Sequence, residues 1–318
     1  MMGDFPRQFE RLNLFGHSCV IAVTCNRKKS YIRSGTFPQK QGVAQMNRPS
    51  ESRQGAATAY RDATAAGAST PTGSNLRVCL ARSPADLQAA QRLRYRVFAE
   101  EMGARLHGAA DGLDQDEFDL YCDHLLVRDM ETGLVVGTYR ILPPHRREQI
   151  GRLYSASEFD LGQLDDLRPS LIEVGRSCVH PDHRTGAAIL LLWAGLAQYM
   201  RRGKYQHLIG CASASLADGG AQAAGLRDKL QGYLSDPGRR VAPLLPFPHE
   251  RIARPATVEM PPLIKGYLRL GAKVCGEPAW DVDFDTADFL IWVSLENLQP
   301  RYARHFDLLA AQAELATA

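Results

Sequence analysis

Residues 93–127, LRYRVFAEEMGARLHGAADGLDQDEFDLYCDHLLV, place one cation where an apolar residue belongs and then follow it with a run of acids. At 100° per residue, a helix expected over 84–101 gathers Leu87, Ala90, Val97 and Phe98 in one sector, and Arg94 lies inside it. A guanidinium taken from water must be paired and hydrogen-bonded. Asp114, Asp116 and Asp119 are the nearest supply, so the first reading is an ionic network that shapes a pocket. The bland alternatives stay open: Arg94 snorkels off a helix edge, and the acids form a solvated loop. Calcium is excluded, because the stretch starting at Asp114 has no glycine at its sixth position and ends its twelve on Leu125. Glu173 is the second anomaly, an acid inside the apolar run LIEVGRSCV (171–179). Desolvation there should raise its pKa into a range useful for proton transfer, unless an ion pair with Arg140 or Arg176 engages it. Strict alternation sets Glu173 with Gly175 and Ser177 and turns Arg176 to the other face, so both reach one site only across a β-bulge.

The elements that must position these groups follow from patterning. LRVCLA (76–81) reads as a strand, and Ser83-Pro84 with Asp86 opens the helix that carries Arg94. HLLVRDM (124–130) and LVVGTYRIL (134–142), joined through Gly133, read as an antiparallel hairpin. The strand 171–179, a long apolar helix ending at Gly203, a buried strand HLIGCAS (207–213), a helix in PLIKGYLRLG and a strand FLIWVSL (289–295) complete the order. That order predicts an α/β fold, a mixed β-sheet flanked by helices. Residues 235–262 hold seven prolines and are expected to form an irregular insertion. Residues 1–75 are rich in small and polar residues over their second half and are read as a disordered or non-native N-terminal extension, leaving 76–312 as the folded domain.

Composition limits the partners. The chain of 318 residues carries a net charge of +3, but residues 1–74 alone hold +6, which leaves the body at −3 and no case for nucleic acid. Seven scattered cysteines with no C-x-x-C pair fit reduced thiols in a cytoplasm, and no metal site is expected. No apolar run is long enough to span a bilayer. Arg201, Arg202 and Lys204 form one local basic cluster. Arg239, Arg240, Arg251 and Arg254 form another around the apolar VAPLLPFP, a combination suited to an acyl entrance or peripheral contact with the inner membrane face.

Arg94-x-x-x-Phe98, Asp114-x-Asp116-x-x-Asp119, Gly137-x-x-Arg140 and Glu173-x-x-Arg176 together resemble the acyl-homoserine-lactone synthases. The tryptophan those synthases carry after the first helix is absent near Met102-Gly103, and Asp114 stands where they usually have Glu. LRYRVFAEEMGA, CDHLLVRD, VVGTYRIL, EVGRSCVHPDHR, GCAS and PPLIKGYLRLGAKVCGEPAWD, in this order over about 76–308, are more similar to the ornithine Nα-acyltransferases. Both groups are GNAT-like.

The resemblance implies transfer of a 3-hydroxyacyl chain from the phosphopantetheine thioester of an acyl carrier protein to the α-amine of L-ornithine, with no other cofactor. The product would be lyso-ornithine lipid, the first intermediate of ornithine lipid synthesis. It makes Glu173 the base for the amine and Tyr267 the acid for the departing thiolate. A bulge would offer the backbone N–H groups of Ser177, Cys178 and Val179 to the thioester oxygen. His183, Arg184, Gly186, Ala187 and Ala188 fit a degenerate phosphate loop before a helix N-terminus. Arg94, Phe98, Asp114, Asp116, Asp119, Arg140 and Arg176 bind substrate or brace its pocket. Asp283, Asp285 and Asp288 are a second source of carboxylates, or a solvated turn. Two other readings are carried forward: a lactone synthase using S-adenosylmethionine, and a non-catalytic module that binds acyl carrier protein or membrane.

Overall fold

The computed structural model describes residues 75–106, 111–184 and 186–298. The expected N-terminal extension, apart from Asn75, and the last residues of the expected domain lie outside the described residues. The chain runs through β1 (Leu76–Leu80), α1 (Pro84–Tyr95), β2 (Asp123–Asp129), β3 (Val135–Leu142) and α2 (Pro144–Ile150). It continues through β4 (Phe159–Asp160), β5 (Leu171–Val179), α3 (Ala187–Gly203), β6 (His207–Ser215), α4 (Ala221–Leu230) and β7 (Ala242–Pro243). It closes with α5 (Pro262–Arg269), β8 (Lys273–Val274), β9 (Ala279–Asp281) and β10 (Thr286–Ser294). The main sheet has the order β1-β2-β3-β5-β6-β10-β8, with β9 also on β10, while β4 and β7 pair separately. It is mixed: β5 and β6 are parallel, and the remaining neighbours antiparallel.

Local chemistry accounts for the elements. Ser83 and Asp86 cap each other's backbone N–H at the start of α1, with Pro84 in the first turn. The turn between β2 and β3 uses Gly133 at φ +73°. On one sheet face α3 packs Ile189, Leu192, Leu196 and Met200 over Leu125, Ile141, Ile172 and Val174. The other face carries α1 and the short-turn run through 154–170, which cover Leu126, Cys178, Leu142, Leu171 and Leu290.

The expected helix over 84–101 is α-helical only to Tyr95 and widens into a π-turn from Arg96 to Glu101, with Met102 N–H reaching the Val97 carbonyl. Helix α4 and the short strands β8 and β9 were not anticipated. The insertion 235–262 is irregular as expected, yet it is pinned: Lys229 Nζ donates to the Val258 carbonyl at 2.6 Å and Gln222 Nε2 to that of Thr257 at 3.0 Å.

The bulge falls in β5. Thr138 pairs with Cys178 and Arg140 with Gly175, so Arg176 and Ser177 together face Tyr139. Arg176 takes φ +51°, a left-handed conformation uncommon for a residue with a side chain. The shift puts Glu173, Arg176 and Cys178 on one face and Ser177 on the other, beside Tyr139. Beyond it the sheet opens, because the parallel ladder between β5 and β6 registers only Leu171–Glu173 against His207–Ile209.

Candidate active site

Arg94 is fully buried, so the snorkelling alternative is set aside. Its Nε donates to Asp114 Oδ2 at 2.9 Å, and its Nη1 and Nη2 donate to the two oxygens of Asp119 at 2.9 and 2.6 Å. Nη2 also donates to the Asp114 carbonyl. Gln91, three residues earlier on the same helix face, gives Asp119 a further bond at 2.9 Å. Burial opposes the Asp119 charge, but Arg94 and Arg140 outweigh it and hold that carboxyl far below its usual value.

Arg140, from β3, extends the network with bonds to Asp116 at 2.7 Å and Asp119 at 3.1 Å. Arg176 lies 3.3 Å from Asp114 and 3.5 Å from Asp116, and its Nη1 donates to the Tyr154 hydroxyl at 3.3 Å. Its guanidinium also packs over the rings of Tyr154 and Phe284, with Phe98 edge-on to Phe284. The six residues Arg94, Asp114, Asp116, Asp119, Arg140 and Arg176 thus form one network, with the charge graded from fully buried at Arg94 to the surface of a cavity at Arg176.

That cavity has a volume of about 460 Å³. Asp114, Asp116 and Arg176 form part of its wall, and Tyr154, Glu158, Trp280, Asp281, Asp283 and Phe284 much of the rest. Leu245 and Val282, both exposed, stand at its edge. A cavity of this size takes a small polar molecule, and its mixture of carboxylates and an arginine suits one carrying charges of both signs.

Glu173 is placed differently from the expectation. It does not line the cavity, and its oxygens accept the backbone N–H groups of Tyr154 and Ser155, at 2.6 and 2.8 Å, and the Ser155 hydroxyl. Burial raises its pKa, while these bonds pull the other way. The geometry gives it a positioning role: it fixes the turn that carries Tyr154 and Glu158.

Tyr267 lies on the opposite sheet face, its ring tilted against Trp193 at 4.7 Å between centroids, and hydroxyl to hydroxyl with Tyr139. Burial, and then Tyr139, push its pKa well above the usual phenol value, so it stays protonated. The bulge at Arg176–Ser177 separates this pair from the charged network. In the loop before α3, Gly186 is left-handed at φ +93°. Arg184 binds Glu101 through two 2.7 Å bonds and the Val179 carbonyl, and His183 faces Asp129 at 3.6 Å. Those two side chains therefore brace the loop, and the helix opening at Ala187 and Ala188 presents the backbone.

Asp288, expected in a solvated turn, is instead buried; burial raises its pKa and that of Glu158 beside it. Sequence reasoning missed Tyr154 and Glu158, because LYSASEFD has neither helical nor strand periodicity to mark an inward residue. In the insertion, Arg239 pairs with Asp166 and Arg254 with Asp228, while Leu244 and Leu245 remain exposed. Among the described residues no helix is long and apolar enough to cross a membrane.

A family model described as an acetyltransferase (GNAT) domain matches residues 93–194. The chain is 40% identical to the L-ornithine N(alpha)-acyltransferase of Brucella abortus (strain 2308), over 73% of this chain and 89% of the relative. Identity to the enzyme of the same name from Rhizobium meliloti (strain 1021) is 38%, over 77% of this chain and 90% of the relative. Among solved structures, a CoA-dependent acyl-homoserine lactone synthase with MTA overlays at a TM-score of 0.44 and 16% identity, covering 76% of this chain and 91% of that chain.

Proposed function

The chain belongs to the L-ornithine N(alpha)-acyltransferases, N-acyltransferases with a GNAT domain, and from that premise we propose the donor, the acceptor site and the product. It transfers a 3-hydroxyacyl group from the phosphopantetheine arm of an acyl carrier protein to the α-amine of L-ornithine, giving lyso-ornithine lipid. The observation that carries the reading is the charged cavity beside the opening between β5 and β6. Ornithine sits in the cavity with its carboxylate toward Arg176, whose side chain is already aimed by Asp114, Asp116 and Tyr154.

The thioester enters where β5 and β6 part, its phosphodiester at the start of α3 near Gly186, Ala187 and Ala188. The α-amine nitrogen, once neutral, attacks the thioester carbon. Backbone N–H groups of Ser177–Val179 receive the developing oxyanion. Collapse breaks the C–S bond as the C–N bond is kept, and Tyr267 protonates the leaving thiolate. The proton lost by the nitrogen leaves through the carboxylate-lined cavity. The exposed Leu244 and Leu245 near the cavity edge suit a product that remains at the inner membrane face, with the reaction on the cytoplasmic side.

The test is reconstitution of the purified chain with 3-hydroxyacyl carrier protein and either L-ornithine or S-adenosylmethionine, the products read by mass spectrometry. Acyl-ornithine is expected, with the Tyr267→Phe variant about 10²-fold lower in kcat and little changed in KM. A homoserine lactone, or carrier binding without any product, would overturn the reading.

A further inference from the structure

Glu158 sits on the wall of the cavity with its Oε2 buried and without a hydrogen-bond partner among the described residues. The carboxylates of the ionic network, by contrast, are engaged: Asp114 and Asp119 hold Arg94, and Asp116 holds Arg140. The groups facing Glu158 come from four strands. They are Asp288 on β10, Asp281 at the end of β9, Cys211 on β6 and Glu173 on β5, and none of them is a cation. Ligand atoms of Glu158, Asp288 and Cys211 all lie within 4.8 Å of one another. Arg105, Arg152 and Arg176 also line the cavity, and none of them is among the main charges acting on Glu158. Tyr154 links the two ends: its hydroxyl accepts from Arg176, and it also feels the charges of Glu158 and Asp281.

We propose that Glu158, backed by Asp288, receives the side-chain ammonium of the amino-acid substrate and thereby sets the preference for a diamino acid. The inference rests on the reading that the cavity holds the amino acid with its carboxylate at Arg176. Glu158 then supplies the negative pole, where one buried carboxyl oxygen lacks a partner and a cation would provide one. In the empty cavity, burial and the Asp288 charge keep the Glu158 carboxyl protonated to well above its usual range. An arriving ammonium reverses that balance, and the carboxyl proton passes to solvent as the ion pair forms. An amino acid lacking the side-chain amine leaves the carboxyl unpaired, and such a site discriminates strongly against it. Glu158 is placed for this by Glu173, which clamps the backbone of Tyr154 and Ser155 just before it.

The experiment compares L-ornithine with L-norvaline, which lacks only the δ-amine, in the full chain and in two variants. Glu158→Gln is nearly isosteric with the protonated carboxyl of the empty site, so it should fold. The wild type is expected to favour ornithine by at least about 10³ in kcat/KM. Glu158→Gln should cut that ratio at least about tenfold, mostly through KM for ornithine. Glu158→Asp withdraws the carboxylate by one methylene and should shift the ratio of L-lysine to L-ornithine upward at least about fivefold. If Glu158→Gln keeps the wild-type ratio, or, where it fails to fold, Glu158→Asp leaves the lysine preference unmoved, the assignment is wrong. Acylation of ornithine by the wild type stands apart from both outcomes. Its absence sinks the underlying reading, and its presence with unmoved ratios sinks Glu158 alone.

Discussion

A cation with no access to water survives at position 94 because nearly every donor of its guanidinium meets an oxygen. Removing the cation leaves Asp114 and Asp119 buried, with the Gln91 bond to Asp119 and the longer contacts of Arg140 and Arg176. Arg94→Met should therefore cost about 3–5 kcal/mol in urea unfolding, since breaking a buried pair strands its partner. Arg94→Lys should recover only part, because an ammonium cannot address two carboxylates with a planar fork. A loss below about 1 kcal/mol for Arg94→Met would show the network to be dispensable. Arg94 was legible in sequence because a regular helix makes a misplaced charge visible. Glu158 was not, since it lies in a run of short turns where no period distinguishes inside from outside. Glu173 was legible as an anomaly but its role was not: its partners are backbone amides, which no side-chain pattern encodes.

Strand β5 carries the organisation of the site, and the bulge in it was the one device that could bring Glu173 and Arg176 to the same face. That requirement followed from alternation alone, and the structure meets it through the left-handed Arg176. Helix α4 escaped notice because three of its buried residues, Ala223, Ala224 and Gly225, are small, and its packing partner lies in the proline-rich insertion. The opening between β5 and β6 depends on a close approach just before it. A Cβ at Gly210 would stand 2.5 Å from the Val174 carbonyl oxygen, and a backbone oxygen cannot swing aside. Gly210→Ala should displace the two strands, destabilise by about 1–3 kcal/mol and lower acyl transfer more than amino-acid binding. Calorimetry of the amino acid alongside turnover separates the two effects. Unchanged turnover would mean that the strand spacing at this point does not set the donor channel.

Across the molecule, the buried acids pull stability in opposite directions with pH. The Asp119 carboxyl is held below its reference of 3.8, so its contribution is complete above that value and disappears as pH falls through the folded pKa. His124, whose pKa burial lowers from 6.5, has the same sign below that value. Glu158 and Glu173, raised from 4.5, and Asp288, raised from 3.8, have the opposite sign. Their contribution is complete below those references and is lost as pH climbs through the raised values, because the folded state then keeps protons that the unfolded chain has released. The unliganded protein should therefore melt highest in weakly acid buffer and lose several degrees by pH 8, at about 2–4 °C per kcal/mol for a domain of this size. Glu158→Gln, which cannot ionise, should flatten this alkaline limb and leave the acid limb alone. Saturating L-ornithine should flatten it too, by giving the ionised carboxyl a partner. A melting temperature that rises steadily to pH 8 in the wild type would contradict the upward shift that burial gives these carboxyls. It would also leave the preference for a diamino acid without its electrostatic basis.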